Sequence, residues 1–176
     1  QHRCQALGPL WSARHLEGNP RLGDGFLRPH DALPDGRLGG KKRHSVAVIP
    51  HYKDRGHTGV EKLLERFPGA VEVDIFASPM EVLKTIDASE VVLSSAMHGL
   101  IAADSLGVPN IRIRLSDDVR GAGFKFRDYY SVFGLDGEAV EVSEILSRSI
   151  SELAASWQRP GMETIKDEVE ASFPFA

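Results

Sequence analysis

Residues 90–109 constrain the fold of this chain more than any other part of the sequence. The run begins with a short, valine-rich apolar segment, which is typical of a strand buried on both faces. After a turn of small and polar residues it continues with apolar residues at helical spacing, and this pattern stops at Gly107 and Pro109. We therefore expect a buried strand that leads through a tight turn into a helix.

The same alternation of strand and helix patterns continues on both sides of this run. Ser78, Pro79 and Glu81 predict a helix start, because serine caps the first turn, proline suits the first helical position and glutamate completes a capping box. Short loops between alternating strands and helices predict a doubly wound parallel sheet, so the predicted fold class is α/β and Rossmann-like. The predicted strands lie within residues 45–52, 71–76, 90–94 and 110–115, and the predicted helices within residues 58–67, 78–86 and 100–106.

The rest of the chain divides into an irregular amino-terminal extension and the carboxyl-terminal part of the α/β domain. Residues 1–43 are rich in glycine, proline, arginine and histidine without a sustained apolar period, which predicts an extension or linker before a domain at residues 44–176. Residues 142–157 predict one amphipathic helix with Ser143 as its N-cap, and residues 162–173 predict another.

Composition and charge argue against several classes of function. The formal charge of −4 argues against general nucleic-acid binding, which normally goes with a basic surface. Cys4 is the only cysteine, so no intramolecular disulfide forms, and this fits a reducing compartment such as the cytoplasm. No apolar run reaches the roughly 18–20 residues that span a bilayer. No close spacing of histidine and acidic residues suggests a metal site, and neither a metal nor an organic cofactor is expected.

The turn between the strand and the helix of the 90–109 run is the best candidate for a functional site. In a parallel sheet such a turn lies at the carboxyl ends of the strands, where ligands bind, and the first N–H groups of the following helix attract anions. Ser94 and Ser95 lie in this turn. His98 lies in the first turn of the helix beside Gly99, which allows a ligand to approach the backbone. We expect these residues to form a ligand site.

A second histidine, His51, follows the first predicted strand. Because the carboxyl ends of parallel strands share one edge of the sheet, His51 and His98 are expected to lie on the same rim and to line one cleft. Each histidine taken alone fits an ordinary loop position better, but their joint placement favours a function.

Basic residues are concentrated shortly after the predicted helix. Arg112 and Arg114 alternate in the fourth predicted strand, and Arg120 and Lys125 follow in the next segment. A solvated, charged loop is the ordinary explanation, and an anion pocket is the alternative. Arginine suits a carboxylate or a phosphate because its planar guanidinium bonds them in pairs. In the second interpretation all four side chains bind an anionic ligand.

These motifs resemble the polysaccharide pyruvyl transferase family, most of all its bacterial exopolysaccharide branch, which adds pyruvate to sugars as a ketal. The resemblance rests on Ser-Ser-Ala-Met-His-Gly-Leu-Ile at residues 94–101 and on Phe-Lys-Phe-Arg-Asp-Tyr-Tyr at residues 124–130. Weaker similarity occurs at residues 23–27 and 49–52.

The resemblance implies a fold similar to the carboxyl-terminal half of a GT-B glycosyltransferase, with phosphoenolpyruvate as the donor. It implies that His98 contacts the donor phosphate and that Lys125 serves the same anion. The acceptor would be a saccharide or a lipid-linked oligosaccharide, and a lipid-linked acceptor would bring peripheral membrane association. The family's amino-terminal half has no counterpart in this sequence, which predicts that the chain is the donor-binding half.

The sequence departs from the family pattern within the histidine motif. Many members have Arg-Leu-His-Gly where this chain has Ala-Met-His-Gly at residues 96–99, so Ala96 stands where a donor arginine is expected. Arg112, Arg114 or Arg120 would then have to take the place of that arginine.

Two other classes of function stay open on the sequence alone. A GT-B-type glycosyltransferase half that uses a nucleotide sugar would share the fold class, although no residue here specifies a base or a ribose. A non-catalytic Rossmann-like binding fragment would share the fold and have no turnover. Binding of phosphoenolpyruvate, as opposed to a nucleotide sugar, separates these classes from a pyruvyl transferase.

Overall fold

In the described part of the chain, five parallel strands form one sheet and helices cover both of its faces. The computed structural model describes residues 41–117 and 122–171, and within these ranges no helix is long and apolar enough to cross a membrane. The predicted extension at residues 1–43 lies, up to residue 40, outside the described residues. The strands are β1 (His44–Ile49), β2 (Val71–Glu72), β3 (Ser89–Ser94), β4 (Asn110–Arg114) and β5 (Val140–Glu141). The helices are α1 (Thr58–Arg66), α2 (Pro79–Asp87), α3 (Met97–Ser105), α4 (Ala122–Ser131), α5 (Val142–Leu146), α6 (Ile150–Ala155) and α7 (Met162–Ala171), with a short 3-10 turn at Tyr52–Asp54.

Alternate residues of the strands face opposite layers of helices, because successive side chains of a strand point to opposite faces. One face, which includes Val46 and Val48, packs against α1, α5 and α6. The other face, which includes Ala47 and Ile49, packs against α2 and α3. Helices α4 and α7 pack on α3 through a separate apolar cluster that contains Leu100. Both faces of the sheet are therefore buried, and the predicted doubly wound α/β fold is confirmed.

The order of the strands creates a crevice between β1 and β3. The sheet has the order β2-β1-β3-β4-β5, so the chain moves from β1 to one side and then returns to the other side with β3. Ile49 and Ser94 are paired at the carboxyl ends of β1 and β3. Open α/β sheets bind ligands outside the carboxyl ends of the strands at such a switch point.

The local signals for the ends of α2 and α3 act as the sequence predicts. Ser78 accepts a hydrogen bond from the N–H of Glu81, whose carboxylate accepts from the N–H of Ser78, and Pro79 occupies the first helical position. Gly107 follows α3 with a φ of 67°, a conformation that glycine adopts without steric cost. These signals are local, so they do not depend on the rest of the fold.

The second strand is much shorter than the strand predicted over residues 71–76. β2 ends at Glu72, and one further bond joins the N–H of Val73 to the carbonyl of Val48. Asp74 then accepts a hydrogen bond from the N–H of Phe76 at 3.0 Å, so its side chain forms a turn that competes with the strand. The apolar alternation continued beyond the point at which the backbone left the sheet.

The prediction of one helix over residues 142–157 is wrong, because two short helices occupy this segment. Ser149 begins α6 with a capping box, in which its hydroxyl accepts from the N–H of Glu152 and the Glu152 carboxylate accepts from the N–H of Ser149. Ser143 is not an N-cap, since Glu141 precedes the first residue of α5. A second capping signal within an apolar pattern of helical period therefore divided the helix.

A buried polar cluster centred on Asp104 fixes the edge of the sheet opposite the crevice. The Asp104 carboxylate accepts hydrogen bonds from the Asn110 amide (2.6 Å), the Tyr129 hydroxyl (2.7 Å), the Trp157 indole (2.8 Å) and the Arg159 guanidinium (2.9 Å). Arg159 and Asp104 form an ion pair in which both side chains are at least 95% buried, with exposed fractions of 5% and 2%. Burial, together with the Asp104 carboxylate, raises the pKa of Tyr129 well above its ordinary value, so its hydroxyl keeps its proton. This cluster joins α3, β4, α4 and the segment after α6.

Candidate functional site

The loops after β1 and β3 meet at the switch point. The backbone N–H of His51 donates to Oγ of Ser95 at 2.9 Å, and the N–H of Ser95 donates to the carbonyl of Ile49 at 3.2 Å. Ser95 is buried, and its hydroxyl therefore lies between the two loops rather than in solvent. The expectation that these two strands end at one rim is confirmed.

His98 lies at the start of α3, three residues after Ser95. Its side chain is exposed, and it is the second residue of the helix. The N-cap residue is Ala96, which has no polar side chain with which to cap the first turn. The first N–H groups of a helix have no partner within the helix, and its first turn carries the positive end of the helix dipole, so an anion at such a position is favoured in general.

Ser94 holds the turn together and is completely buried. Its hydroxyl lies 2.9 Å from the carbonyl of Ile49 and 2.8 Å from that of Ala96, and it accepts a hydrogen bond from the N–H of Ala96 at 3.0 Å. All these partners are backbone groups, so in this structure Ser94 acts on the shape of the turn. Its expected contact with a ligand stays a prediction.

Gly99 has a packing role in addition to the expected approach of a ligand. A side chain at this position would place its Cβ 2.7 Å from Oγ of Ser94 and 3.0 Å from Cγ2 of Ile49. The missing side chain thus allows the first turn of α3 to lie directly on the ends of β1 and β3. Whether a ligand also uses this space stays a prediction.

The imidazole of His51 is half-buried, with one carboxylate and two ammonium groups close enough to act on it. Its ring is 4.4 Å from that of Tyr52, and its Nδ1 accepts from the N–H of Lys53 at 3.3 Å. Burial lowers the pKa of His51 below 6.5, with further lowering by the ammonium groups of Lys53 and Lys125, while the Asp54 carboxylate opposes these effects. Lys125, which is exposed near the start of α4, therefore lies close enough to act on His51.

Arg112 and Arg114 have partners within the chain. The guanidinium of Arg112 lies 3.8 Å from the centre of the Phe126 ring and donates to the carbonyl of Gly137. Burial lowers the pKa of this half-buried guanidinium. Arg114 forms an ion pair with Glu141 at 3.1 Å. Their expected role in anion binding would thus require a ligand to share or replace these contacts, and it stays a prediction.

Arg120, the third expected arginine, lies outside the described residues. Nothing in the structure therefore bears on its predicted contact with an anion.

A cavity of about 230 Å³ opens at the same edge of the sheet, next to the ends of β3 and β4. Ser95, Arg112 and Arg114 line it, together with Asp54 and Ser116, which the sequence analysis did not select. The described residues His51, His98 and Lys125 do not line this cavity. The expected site residues thus divide into those that line the cavity and those that do not, and the bond between Ser95 and His51 connects the two sets.

Asp54 is the most prominent polar residue that the sequence analysis missed. It is only 2% exposed, and each of its carboxylate oxygens accepts a hydrogen bond from a serine hydroxyl, one of Ser95 and one of Ser116. An acidic residue three positions after His51, at the end of a predicted strand, was the available signal. That signal is weak, because Lys53 and Arg55 on either side make Asp54 look like part of a solvated charged loop.

Among residues 41–117 and 122–171, no group of three or more histidine, cysteine, aspartate or glutamate side chains is arranged to hold a metal ion.

The fold and the rim together define a doubly wound α/β protein in which the loops after β1 and β3 are joined at the switch point. A sequence profile of the polysaccharide pyruvyl transferase family matches residues 30–117, which is half of the chain, and the chain belongs to this family. The matched segment contains His51, Ser95 and His98 and ends before Lys125.

One curated relative is an uncharacterized protein of Acanthamoeba polyphaga mimivirus. It is 32% identical over 100 residues, which cover 53% of this chain and 33% of the relative. The chain therefore spans about a third of the length of the relative that it matches. No solved structure matches the chain.

Proposed function

We propose that this chain is the donor-binding half of a polysaccharide pyruvyl transferase, which transfers pyruvate from phosphoenolpyruvate to a sugar as a ketal during exopolysaccharide synthesis. Membership of the family supports the class of reaction. The observation that carries the proposal is the crevice, where the loops after β1 and β3 are bonded through His51 and Ser95 directly beside the start of α3.

The reaction sets clear demands on the site. One sugar hydroxyl attacks the carbon of phosphoenolpyruvate that carries the phosphate, and the methylene carbon takes up a proton and becomes a methyl group. The bond between the attacked carbon and the phosphate oxygen breaks, and phosphate leaves. A second hydroxyl of the same sugar then bonds to the same carbon and closes the cyclic ketal. The two hydroxyl protons balance the new methyl hydrogen and the protonated phosphate. The site must therefore bind a phosphate and a carboxylate and stabilise the departing phosphate.

The rim of the crevice offers groups that meet these demands. The first N–H groups of α3 would hold the phosphate, with His98 beside them as a hydrogen-bond donor and as an acid toward the leaving phosphate. Lys125 would hold a donor anion from the side of α4. His51 would line the cleft, and its lowered pKa keeps it mostly neutral near pH 7. Since Nδ1 accepts from the N–H of Lys53, Nε2 carries the proton and can donate one hydrogen bond.

The arginine that the family pattern expects at position 96 requires a substitute. Arg112 and Arg114 line the cavity next to Ser95, so a conformational change that released either guanidinium would bring a bidentate anion partner to the crevice. Arg112, Arg114 and Arg120 are therefore the candidates for binding the carboxylate of the donor.

Calorimetric titration of the chain with phosphoenolpyruvate tests the proposal. We expect binding to the wild-type chain and a loss of affinity of about ten- to a hundredfold in His98→Ala, which corresponds to one hydrogen bond to a charged group. His44→Ala is the matched control, since His44 is the first residue of β1, at the opposite edge of the sheet. The affinity of His44→Ala for phosphoenolpyruvate should equal that of the wild-type chain.

A parallel titration with a UDP-sugar separates the proposal from its main rival. Tight binding of the UDP-sugar without binding of phosphoenolpyruvate would show a nucleotide-sugar transferase half. Binding of neither ligand would favour a non-catalytic fragment. An unchanged affinity for phosphoenolpyruvate in His98→Ala would remove His98 from the role proposed for it.

A further inference from the structure

Asp54 occupies a position in the crevice that the proposed chemistry does not use. It is the last residue of the 3-10 turn Tyr52–Asp54, which follows β1, and only 2% of its surface is exposed. Its own backbone is fixed, because its N–H donates to the carbonyl of His51 at 2.7 Å and its carbonyl accepts from the N–H of His57 at 3.1 Å. The carboxylate is thus held at one place on the rim.

The carboxylate of Asp54 joins three loops that follow neighbouring strands. One oxygen accepts from the hydroxyl of Ser95, at 2.6 Å, in the loop after β3. The other oxygen accepts from the hydroxyl of Ser116, in the loop after β4. Since β1, β3 and β4 are adjacent in the sheet, a single side chain connects three consecutive strand ends at the switch point.

The connection extends to both histidines of the rim. Oγ of Ser95 accepts from the N–H of His51 while it donates to Asp54, so the position of the His51 backbone depends on the same hydroxyl. Ser95 is also only three residues before His98, in the turn that leads into α3. A shift of the Asp54 carboxylate would therefore move the backbone of both histidines and, with it, their side chains.

Stability alone is a poor reason for a carboxylate at this position. Removal of a carboxylate from water is costly, and two hydroxyl donors offset only part of this cost. A neutral side chain of the same shape could bridge the same serines with less desolvation. The carboxylate can only accept hydrogen bonds, so both serine hydroxyls must donate to it and each has one orientation. This favours a single arrangement of the three loops.

We propose that Asp54 is a positioning residue for the donor site, which acts through Ser95 and Ser116 to hold His51 and the start of α3 in the geometry that binds the donor. This inference rests on the proposed function. Direct contact with the donor is not part of the role, since a carboxylate repels a phosphate and both oxygens already accept hydrogen bonds from serine hydroxyls.

The substitution Asp54→Asn tests this role because it keeps the shape and removes the demand for two donors. We expect the affinity for phosphoenolpyruvate to fall by about tenfold or more, as side chains that were held in place regain freedom before binding. The ring resonances of His51, followed by NMR, should shift and titrate at lower pH, because the Asp54 carboxylate favours the protonated imidazole. Ser89→Ala is the control, since Ser89 is fully buried and its hydroxyl bonds the carbonyl of Thr85 at the opposite end of β3.

The control distinguishes positioning from a general loss of stability. Ser89→Ala should lower the urea midpoint without a change in the affinity for phosphoenolpyruvate or in the resonances of His51. If Asp54→Asn does not fold, Ser116→Ala removes one of the two donors, and a smaller loss of affinity is expected.

Two results would overturn the inference. One is a folded Asp54→Asn chain, or a Ser116→Ala chain in its place, that binds phosphoenolpyruvate as tightly as the wild-type chain. The other applies if the wild-type chain binds no phosphoenolpyruvate, a result that removes the proposed function by itself. Unchanged resonances of His51 and His98 in Asp54→Asn would then overturn the positioning role as well. Shifted resonances would instead show that Asp54 positions both histidines for a ligand other than phosphoenolpyruvate.

Discussion

The backbone N–H of His51 donates a hydrogen bond to Oγ of Ser95 across 2.9 Å, and this bond joins the loops after β1 and β3. A second bond, from the N–H of Ser95 to the carbonyl of Ile49 at 3.2 Å, joins the loop after β3 to the end of β1 at the switch point. The two bonds together hold the ends of β1 and β3 beside each other, and the proposed donor site lies at these ends. The same serine hydroxyl is the donor to the buried Asp54 carboxylate.

Gly99→Ala should destabilise the chain by about 1–3 kcal/mol, because its Cβ would overlap Ser94 and Ile49 in a closely packed region. The overlap distances are 2.7 Å to Oγ of Ser94 and 3.0 Å to Cγ2 of Ile49. Gly123→Ala is the matched control, since the one atom of the described residues within 4 Å of its Cβ would be in the Arg127 guanidinium, at 3.9 Å. This control should be unchanged or up to about 1 kcal/mol more stable, as alanine is the better helix former. Urea unfolding of both variants checks the difference, and equal stabilities would contradict it.

His51 should titrate below 6.5 in the folded chain, and Lys125→Met should raise its pKa because one nearby positive charge is removed. NMR titration of the imidazole resonances measures both values. Lys62→Met, an exposed lysine substitution in α1, should leave the pKa of His51 unchanged. The same pKa for His51 in Lys125→Met and in the wild-type chain would show that Lys125 does not face the crevice.

The lowered pKa of His51 also fixes the sign of a pH effect on stability. Between the folded pKa and the unfolded value near 6.5, the unfolded chain binds more protons than the folded chain. The contribution of His51 to the free energy of unfolding therefore increases as the pH rises through this window. In urea unfolding at a series of pH values, His51→Gln should show a weaker rise than the wild-type chain, and an identical rise would contradict this assignment.

Arg159→Met should destabilise the chain by about 3–5 kcal/mol, because it leaves the buried Asp104 carboxylate without its cation. Arg148→Met is the control, since Arg148 pairs with Glu144 on the surface of the chain. Exposed pairs of this kind contribute at most about 1 kcal/mol. Chemical denaturation measures both losses. Similar losses of stability for the two variants would show that the buried Asp104 ion pair contributes no more to stability than an exposed pair.

Ser149→Ala should cost about 1 kcal/mol, because its hydroxyl caps α6. Ser143→Ala, the substitution at the N-cap predicted for a single long helix, should change the stability by less than about 0.5 kcal/mol, as Ser143 is exposed inside α5. Thermal unfolding of the two variants compares the capping sites. A larger loss of stability for Ser143→Ala than for Ser149→Ala would support the single helix capped by Ser143.

Local patterns predicted those parts of the structure whose physical causes are local. The capping box at Ser78 and Glu81 and the stop at Gly107 involve residues within one or two turns of each other, so sequence spacing is sufficient to detect them. The apolar run that became β3 is buried on both faces, as its composition indicates. By contrast, β2 and β5 are two-residue strands, and such short pairings are set by neighbouring strands rather than by their own sequence.

The sequence by itself determined that two histidines follow parallel strands and that one of them opens a helix. It could not determine that β1 and β3 are neighbours on either side of a switch point, since this depends on the order of all five strands. Only the tertiary structure brought Asp54, Ser95 and Ser116 together, over separations of 41 and 62 residues. Hydrogen bonds between distant loops leave no periodic signal in a sequence, because each of the three residues taken alone looks like an ordinary polar loop residue.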